Sequence, residues 1–197
     1  MVSVGLLRKL YDWTLSLAET RFALLFLALV AFAESSVFPI PPDVLLIPII
    51  LAARERAFLV AGICTIASVL GGGVGYWVGA QLFDTVGQPI LDFYHKADQF
   101  DEFAARFNEF GPWAVLFAGA TPFPYKVITI TSGATGLDFW IFMISSLIAR
   151  AARFFLVAFL LWKFGPTIRK FIEERFGLVA TVAIVLLFGG FLLVRYL

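Results

Sequence analysis

The sequence predicts an all-α integral membrane protein, and three observations support this prediction. Of the 197 residues, 61% are hydrophobic, whereas a typical soluble domain has about 45–50%. Only 15% are charged, and the mean hydropathy is +0.93. Several apolar stretches approach or exceed the ~20 residues that a helix needs to cross a bilayer. Charges this sparse cannot coat a water-soluble globule of this size.

The same composition argues against several functional classes. The net charge of +1 does not suit an electrostatic nucleic-acid binder. The single cysteine, Cys64, excludes an internal disulfide framework, and the single histidine, His95, argues against a zinc site built by the protein. We therefore predict no metal, no cofactor and no nucleic-acid partner.

Residues 1–21 are predicted to form an amphipathic helix in the membrane interface. Leu6, Leu10, Trp13 and Leu17 recur at helical spacing between charged residues. No uninterrupted apolar core followed by a small-residue cleavage site is present, so a signal peptide is not predicted. A soluble leader helix is the alternative.

The first long apolar stretch, residues 22–53, is broken in its middle. Pro39, Pro41 and Pro42 fall within four positions, and a helix cannot continue through them because proline lacks an N–H donor and clashes with the preceding turn. Each arm would be only ~15–18 Å long, about half a membrane. This pattern predicts a re-entrant hairpin with its tip near the midplane, followed by a spanning helix over residues 57–83.

The second half of the chain repeats this design. An acidic segment with regularly spaced phenylalanines, residues 84–110, predicts an amphipathic helix on the outer surface. Residues 112–137 are apolar but are interrupted by Pro122 and Pro124, with Lys126 just beyond. They predict a second re-entrant hairpin.

The predicted membrane domain therefore covers residues 22–165. Its last element is a spanning helix over residues 139–163. Residues 166–197 are predicted to be a basic linker and a C-terminal transmembrane helix.

The two breaks align at a constant offset of 83 residues. Residues 39–43 and 122–126 both follow the pattern Pro-x-Pro-x-charge. The first hairpin is flanked by basic residues, whereas residues 84–109 are mainly acidic, so the hairpins are predicted to enter from opposite faces as an inverted repeat. Coincidence over so few positions is the alternative.

Five ionisable residues lie at predicted membrane depth, where a charge costs about 2.5–3.5 kcal/mol on insertion scales. We predict that the bases bind an anionic head group, since guanidinium matches phosphate geometry, and that the acids carry protons or act as counter-ions. The alternative is that all five are structural counter-ions, with Asp43 paired to Lys126. The bases are Lys126, Arg150 and Arg153, and the acids are Glu34 and Asp43.

Hydroxyl and glycine residues near the breaks have structural explanations. Thr129 and the neighbouring serines and threonines can satisfy broken-helix backbone or contact a ligand. Gly71, Gly75 and Gly79 lie on one helical face and predict close helix packing. No Ser/His/Asp triad or HExxH motif is present, and we do not predict an enzyme.

The two proline-broken segments and the helices that follow them resemble the DedA family, also called the VTT-domain or SNARE-associated superfamily. Within it they most resemble the short YqaA-like branch. The resemblance covers residues 22–165 and is carried by Pro39-x-Pro-Pro-Asp43 and by Pro122-x-Pro-x-Lys126 before Ser132-Gly133. It implies opposed re-entrant hairpins, recycling of polyprenyl-phosphate carriers or phospholipid scrambling, and a bacterial inner membrane.

The resemblance also assigns residues. The family's acidic positions map to Glu34 and Asp43. Its second hairpin carries an arginine on either side of the proline, where this chain has Ala120 or Thr121 and then Lys126. We hypothesise that Arg150 and Arg153 compensate.

We therefore predict a flippase or scramblase of anionic lipid, either a polyprenyl phosphate or a phospholipid, with proton coupling. A proton- or cation-coupled antiporter is one alternative. An intramembrane enzyme acting on lipid phosphate and a structural membrane-assembly protein are the others.

Overall fold

The structure is a computed structural model that describes residues 22–36, 41–94, 97–121 and 124–174. The predicted interfacial helix at residues 1–21 and the predicted C-terminal transmembrane helix lie outside these residues. Pro39, Pro122 and His95 also lie outside them. The corresponding predictions stay predictions.

The regular elements of the described residues are all helical, as predicted. A 3₁₀ turn (Arg54–Arg56) precedes α3, and a π-helical turn (Phe83–Gly87) follows it. The helices are α1 (Ala23–Ser36), α2 (Asp43–Ala52), α3 (Ala57–Leu82), α4 (Gln88–Phe93), α5 (Ala97–Glu109), α6 (Gly111–Ala120), α7 (Tyr125–Ala134) and α8 (Phe139–Glu174).

Within the described part of the chain, two helical segments are long and apolar enough to cross a membrane. They are Arg54–Phe93, with 40 residues, and Phe139–Ile168, with 30 residues. They contain the predicted spans 57–83 and 139–163. The short apolar helices α1, α2 and α6 are three of the four arms of the broken segments, and α7 is the fourth.

Both predicted breaks are present. α1 ends at Ser36 and α2 begins at Asp43, after Pro41 and Pro42. The carbonyl of Pro42 accepts bonds from the amides of Leu45 and Leu46, so the proline starts the new helix. Similarly, α6 ends at Ala120, and Pro124 is the N-cap of α7.

Two boundaries differ from the predictions. The predicted outer helix, 84–110, is divided: α4 continues from the end of α3, and α5 begins separately at Ala97. The predicted linker from residue 166 is helical as far as Glu174, although Pro166 lies inside the helix. The helix is held on both sides of Pro166, because Gly165 lies against Arg54 and Ile168 packs on the core.

The long helices α3 and α8 contact each other, and each also contacts two arms of the broken segments. α3 packs against α1 and α7, and α8 packs against α2 and α6. Each long helix therefore contacts the first arm of one broken segment and the second arm of the other.

Glycines allow the closest of these contacts, as the sequence predicted. A Cβ atom at Gly71 would collide with the carbonyl of Phe32 on α1, and one at Gly79 would collide with the carbonyl of Ile130 on α7. On α7, a Cβ at Gly133 would collide with the carbonyl of Tyr76. Only glycine lets these helix backbones approach so closely.

We expect Gly79→Ala to destabilise the protein, because the backbone of α7 would have to move away from α3. The expected loss is about 1–3 kcal/mol, measured by unfolding in detergent. Gly62→Ala is the matched control, since nothing lies within 4 Å of its added Cβ on the same helix. Equal stability of the two variants would contradict the close packing.

Candidate functional site

Arg150, in the middle of α8, is the most deeply buried charged residue among those described, with a side chain only 1% exposed. Its Nε donates a hydrogen bond of 2.6 Å to Ser68 Oγ on α3. Its Nη2 donates to Glu34 Oε2 on α1, at 3.0 Å. Arg150 therefore ties three helices together through one guanidinium.

Arg150, Glu34, Ser35 and Ser68 form a closed ring of hydrogen bonds. Ser35 Oγ donates to Glu34 Oε2 at 3.1 Å, and the hydroxyls of Ser35 and Ser68 lie 2.7 Å apart. Because the proton of Ser35 is used on Glu34, Ser68 donates to Ser35 and accepts from Arg150. Every bond in the ring then has one donor and one acceptor, which a buried polar group requires.

Aromatic rings cover the guanidinium of Arg150. Its Cζ atom lies 4.7 Å from the ring centre of Tyr125 on α7 and 4.6 Å from that of Phe154. Arginine stacks favourably on aromatic faces, and the attraction grows where water is excluded. The guanidinium of Arg150 is thus enclosed by protein groups.

Arg153 lies one turn further along α8 and connects the two breaks. Its Nη2 donates to Asp43 Oδ2 at 2.6 Å, at the start of α2. Its Nη1 donates to the carbonyl of Thr121 at 3.0 Å, just after α6. The side chains of Arg153 and Asp43 are 21% and 23% exposed. This ion pair is therefore open to its surroundings, whereas the pair of Arg150 and Glu34 is more deeply buried.

The hypothesised pair between Asp43 and Lys126 is wrong. Asp43 pairs with Arg153 because α2 packs against α8, whereas α7, which carries Lys126, packs against α3. Within the described residues, no carboxylate lies within ion-pair distance of Lys126, which is half-buried.

Two arginines and two acids form a charged cluster, in which each positive charge has a partner. Glu34 neutralises Arg150, and Asp43 neutralises Arg153. Lys126, in the first turn of α7, has no described counter-ion. The open part of the cluster is the pair formed by Arg153 and Asp43.

Sequence reasoning found the five charged residues but missed three of their neighbours, Ser68, Tyr125 and Phe154. For Ser68, the available signal in the sequence was a hydroxyl within an otherwise apolar helix. Tyr125 adjoins Lys126, but nothing in the sequence shows that its ring covers Arg150. Thr129 satisfies backbone, as one interpretation predicted, because its Oγ1 donates to the carbonyls of Ser35 and Lys126.

In the described residues, no three His, Cys, Asp or Glu side chains lie close enough together to hold a metal ion. The chemistry available at the open part of the cluster is that of guanidinium and carboxylate.

Comparison with known proteins agrees with the sequence pattern. A family model described as the VTT domain matches residues 40–163. An uncharacterized protein of Haemophilus influenzae is 37% identical over 183 residues, which cover 91% of this chain and 95% of the relative. An uncharacterized homologue from Histophilus somni is 38% identical over 180 residues, covering 89% and 94%. No solved structure matches.

We expect Arg150→Gln to destabilise the protein by about 3–5 kcal/mol, since Glu34 would stay buried without its partner. The double variant Glu34→Gln/Arg150→Gln should be less affected, because no unpaired carboxylate remains. Arg106→Gln is the control: its ion pair with Glu102 is exposed and should contribute little. Unfolding in detergent measures all three, and equal effects of Arg150→Gln and Arg106→Gln would contradict the buried ring.

Proposed function

The chain belongs to the VTT domain family, and we propose that it is an integral membrane protein that moves an anionic lipid between leaflets, as a flippase or scramblase. One observation carries the proposal. Two broken helical segments meet a charged cluster at the middle of a helix long enough to span a bilayer.

The aromatic residues of α8 support a membrane-spanning orientation. Trp140 and Trp162 are both exposed near the ends of its apolar part, and tryptophan prefers the membrane interface. The rise between them is ~33 Å, close to the thickness of a hydrocarbon core. Arg150 and Arg153 lie between these tryptophans and would therefore sit near the midplane.

Contacts at the two ends of α8 support opposed re-entrant hairpins. The end of α2 lies beside Gly165 through Leu51, at the C-terminal end of the span. The start of α6 lies beside Leu137 through Gly111, at its N-terminal end. Both breaks nevertheless reach Arg153, as expected of an inverted repeat whose halves enter from opposite leaflets.

The open part of the cluster is suited to a phosphate head group. Arg153 has N–H groups beyond the two that bond to described residues, and Lys126, in the first turn of α7, would contribute a second cation. Both α2 and α7 begin at the breaks, so the positive ends of their dipoles point towards the same region. We assign head-group binding to Lys126 and Arg153, and a positioning role to the enclosed Arg150.

Asp43 and Glu34 are the groups that we propose for proton coupling. Neutralising either carboxylate would remove the counter-charge of an arginine near the midplane, and intramembrane acids often serve as proton carriers. The lipid tails would remain in the bilayer beside the cluster. The substrate would be a polyprenyl phosphate or a phospholipid, and the location the bacterial inner membrane.

A structural membrane-assembly role is the second candidate. The observation that favours it is the satisfied ring around Arg150, in which the buried charges neutralise one another. The two candidate functions differ in whether they require Lys126. A transporter would use its charge to bind the head group, whereas a structural protein would not need it.

We expect the purified protein to move a fluorescent phosphatidic acid between the leaflets of proteoliposomes. Arg153→Gln and Lys126→Gln should each slow this movement about tenfold or more, because each removes a cation from the head-group site. Arg106→Gln, which removes an equal charge on α5, should leave the rate unchanged.

Absence of lipid movement by the wild-type protein, with and without a pH gradient, would refute transport of this lipid. A small-ion flux that depends on Asp43 would then identify an antiporter. Full activity of Lys126→Gln would remove this residue from the site.

A further inference from the structure

The charged cluster has a closed half and an open half, and the two halves differ in burial and in aromatic cover. Arg150 is 1% exposed, lies between two aromatic rings and belongs to a closed hydrogen-bonded ring. Arg153 is 21% exposed, and its described hydrogen-bond partners are one carboxylate oxygen and one carbonyl. An exchange of partners is therefore far easier at Arg153.

Arg153 also bonds to both breaks with one side chain. Its Nη2 holds Asp43, the first residue of α2, and its Nη1 holds the carbonyl of Thr121, just after the last residue of α6. While both bonds are made, the start of α2 is tied to α8 and, through the same guanidinium, to the end of α6.

The bond to Asp43 uses the same chemistry as a bond to phosphate. Carboxylate and phosphate oxygens both accept charge-assisted bonds from a guanidinium, and phosphate offers more acceptors and more charge. A phosphate that enters the open half therefore competes directly with Asp43 for Nη2.

We infer that Arg153 is an exchangeable latch: an anionic phosphate group displaces Asp43 from its guanidinium and so releases the start of α2 from α8. This inference rests on the proposed function and specifies how that site binds its substrate. The bond from Arg153 to the Thr121 carbonyl remains, which keeps the guanidinium in place during the exchange. Asp43, once released, still lies in the first turn of α2, where a carboxylate is favoured by the helix dipole.

The experiment measures binding of dodecyl phosphate, a single-chain phosphate monoester, to the purified full-length protein in detergent. Asp43→Asn should bind it about tenfold more tightly than the wild type, because the internal competitor is gone. Arg153→Gln should bind about tenfold more weakly. The double variant Asp43→Asn/Arg153→Gln should bind no better than Arg153→Gln alone, since without the guanidinium there is nothing to compete for.

Glu102→Gln is the charge control. It also removes one carboxylate charge, but its partner is Arg106 in an exposed ion pair on α5. The latch predicts that Glu102→Gln changes affinity less than threefold. Equal tightening by Glu102→Gln and Asp43→Asn would mean that only the overall charge matters, and it would overturn the inference.

A second measurement uses the wild-type protein and needs no substitution. Hydrogen exchange of the amides at Val44 and Leu45 should become faster when dodecyl phosphate is added, because α2 loses its tie to α8. Dodecyl maltoside, which has the same tail and a neutral head, should have no effect. Slower or unchanged exchange with dodecyl phosphate would overturn the latch.

The results distinguish a lipid phosphate from inorganic phosphate as the ligand. They also distinguish failure of the latch from failure of the proposed function. Inorganic phosphate that binds as tightly as dodecyl phosphate would overturn a lipid as the occupant. Lipid transport by the wild type together with weaker or unchanged binding by Asp43→Asn would overturn the latch and leave the proposed function standing. Absence of both transport and dodecyl phosphate binding in the wild type would overturn both.

Discussion

A buried guanidinium must have its charge neutralised and its donors satisfied, and this requirement organises the structure around Arg150. Leaving such a charge unpaired in a low-dielectric interior costs several kcal/mol. The chain meets the requirement with groups from three other helices: the carboxylate of Glu34 on α1, the hydroxyl of Ser68 on α3, and the ring of Tyr125 on α7. The arrangement of these helices around α8 is therefore coupled to one side chain.

One helical turn along, Arg153 adds the two remaining arms, because it bonds to the start of α2 and to the backbone just after α6. Two arginines on one face thus contact every arm of both broken segments. The surroundings of the two differ in a way that suits different tasks. A closed ring under aromatic cover resists change, whereas a half-open ion pair can exchange its partner for a ligand. We attribute structural rigidity to the first and ligand binding to the second.

The glycines of α3 make this geometry possible. Gly71 and Gly79 bring α3 into backbone contact with α1 and α7, and Gly75 lies between them beside Thr129 and the carbonyl of Ser35. The short arms could not otherwise bring their ends close enough to share one set of charges. Close packing of small residues is also how helices associate where the hydrophobic effect does not drive them together.

The helical class, the positions of both breaks and the five charged residues could be predicted from the amino-acid sequence, because composition, proline spacing and charge at membrane depth are local properties. Which charges pair could not be predicted in this way. Asp43 and Lys126 occupy equivalent positions and have opposite signs, so the sequence suggested that they meet. The packing of the helices instead pairs Asp43 with Arg153, since α2 packs on α8 and α7 packs on α3. Partner choice depends on which helices touch, and helix packing joins residues more than a hundred positions apart, which no local pattern encodes.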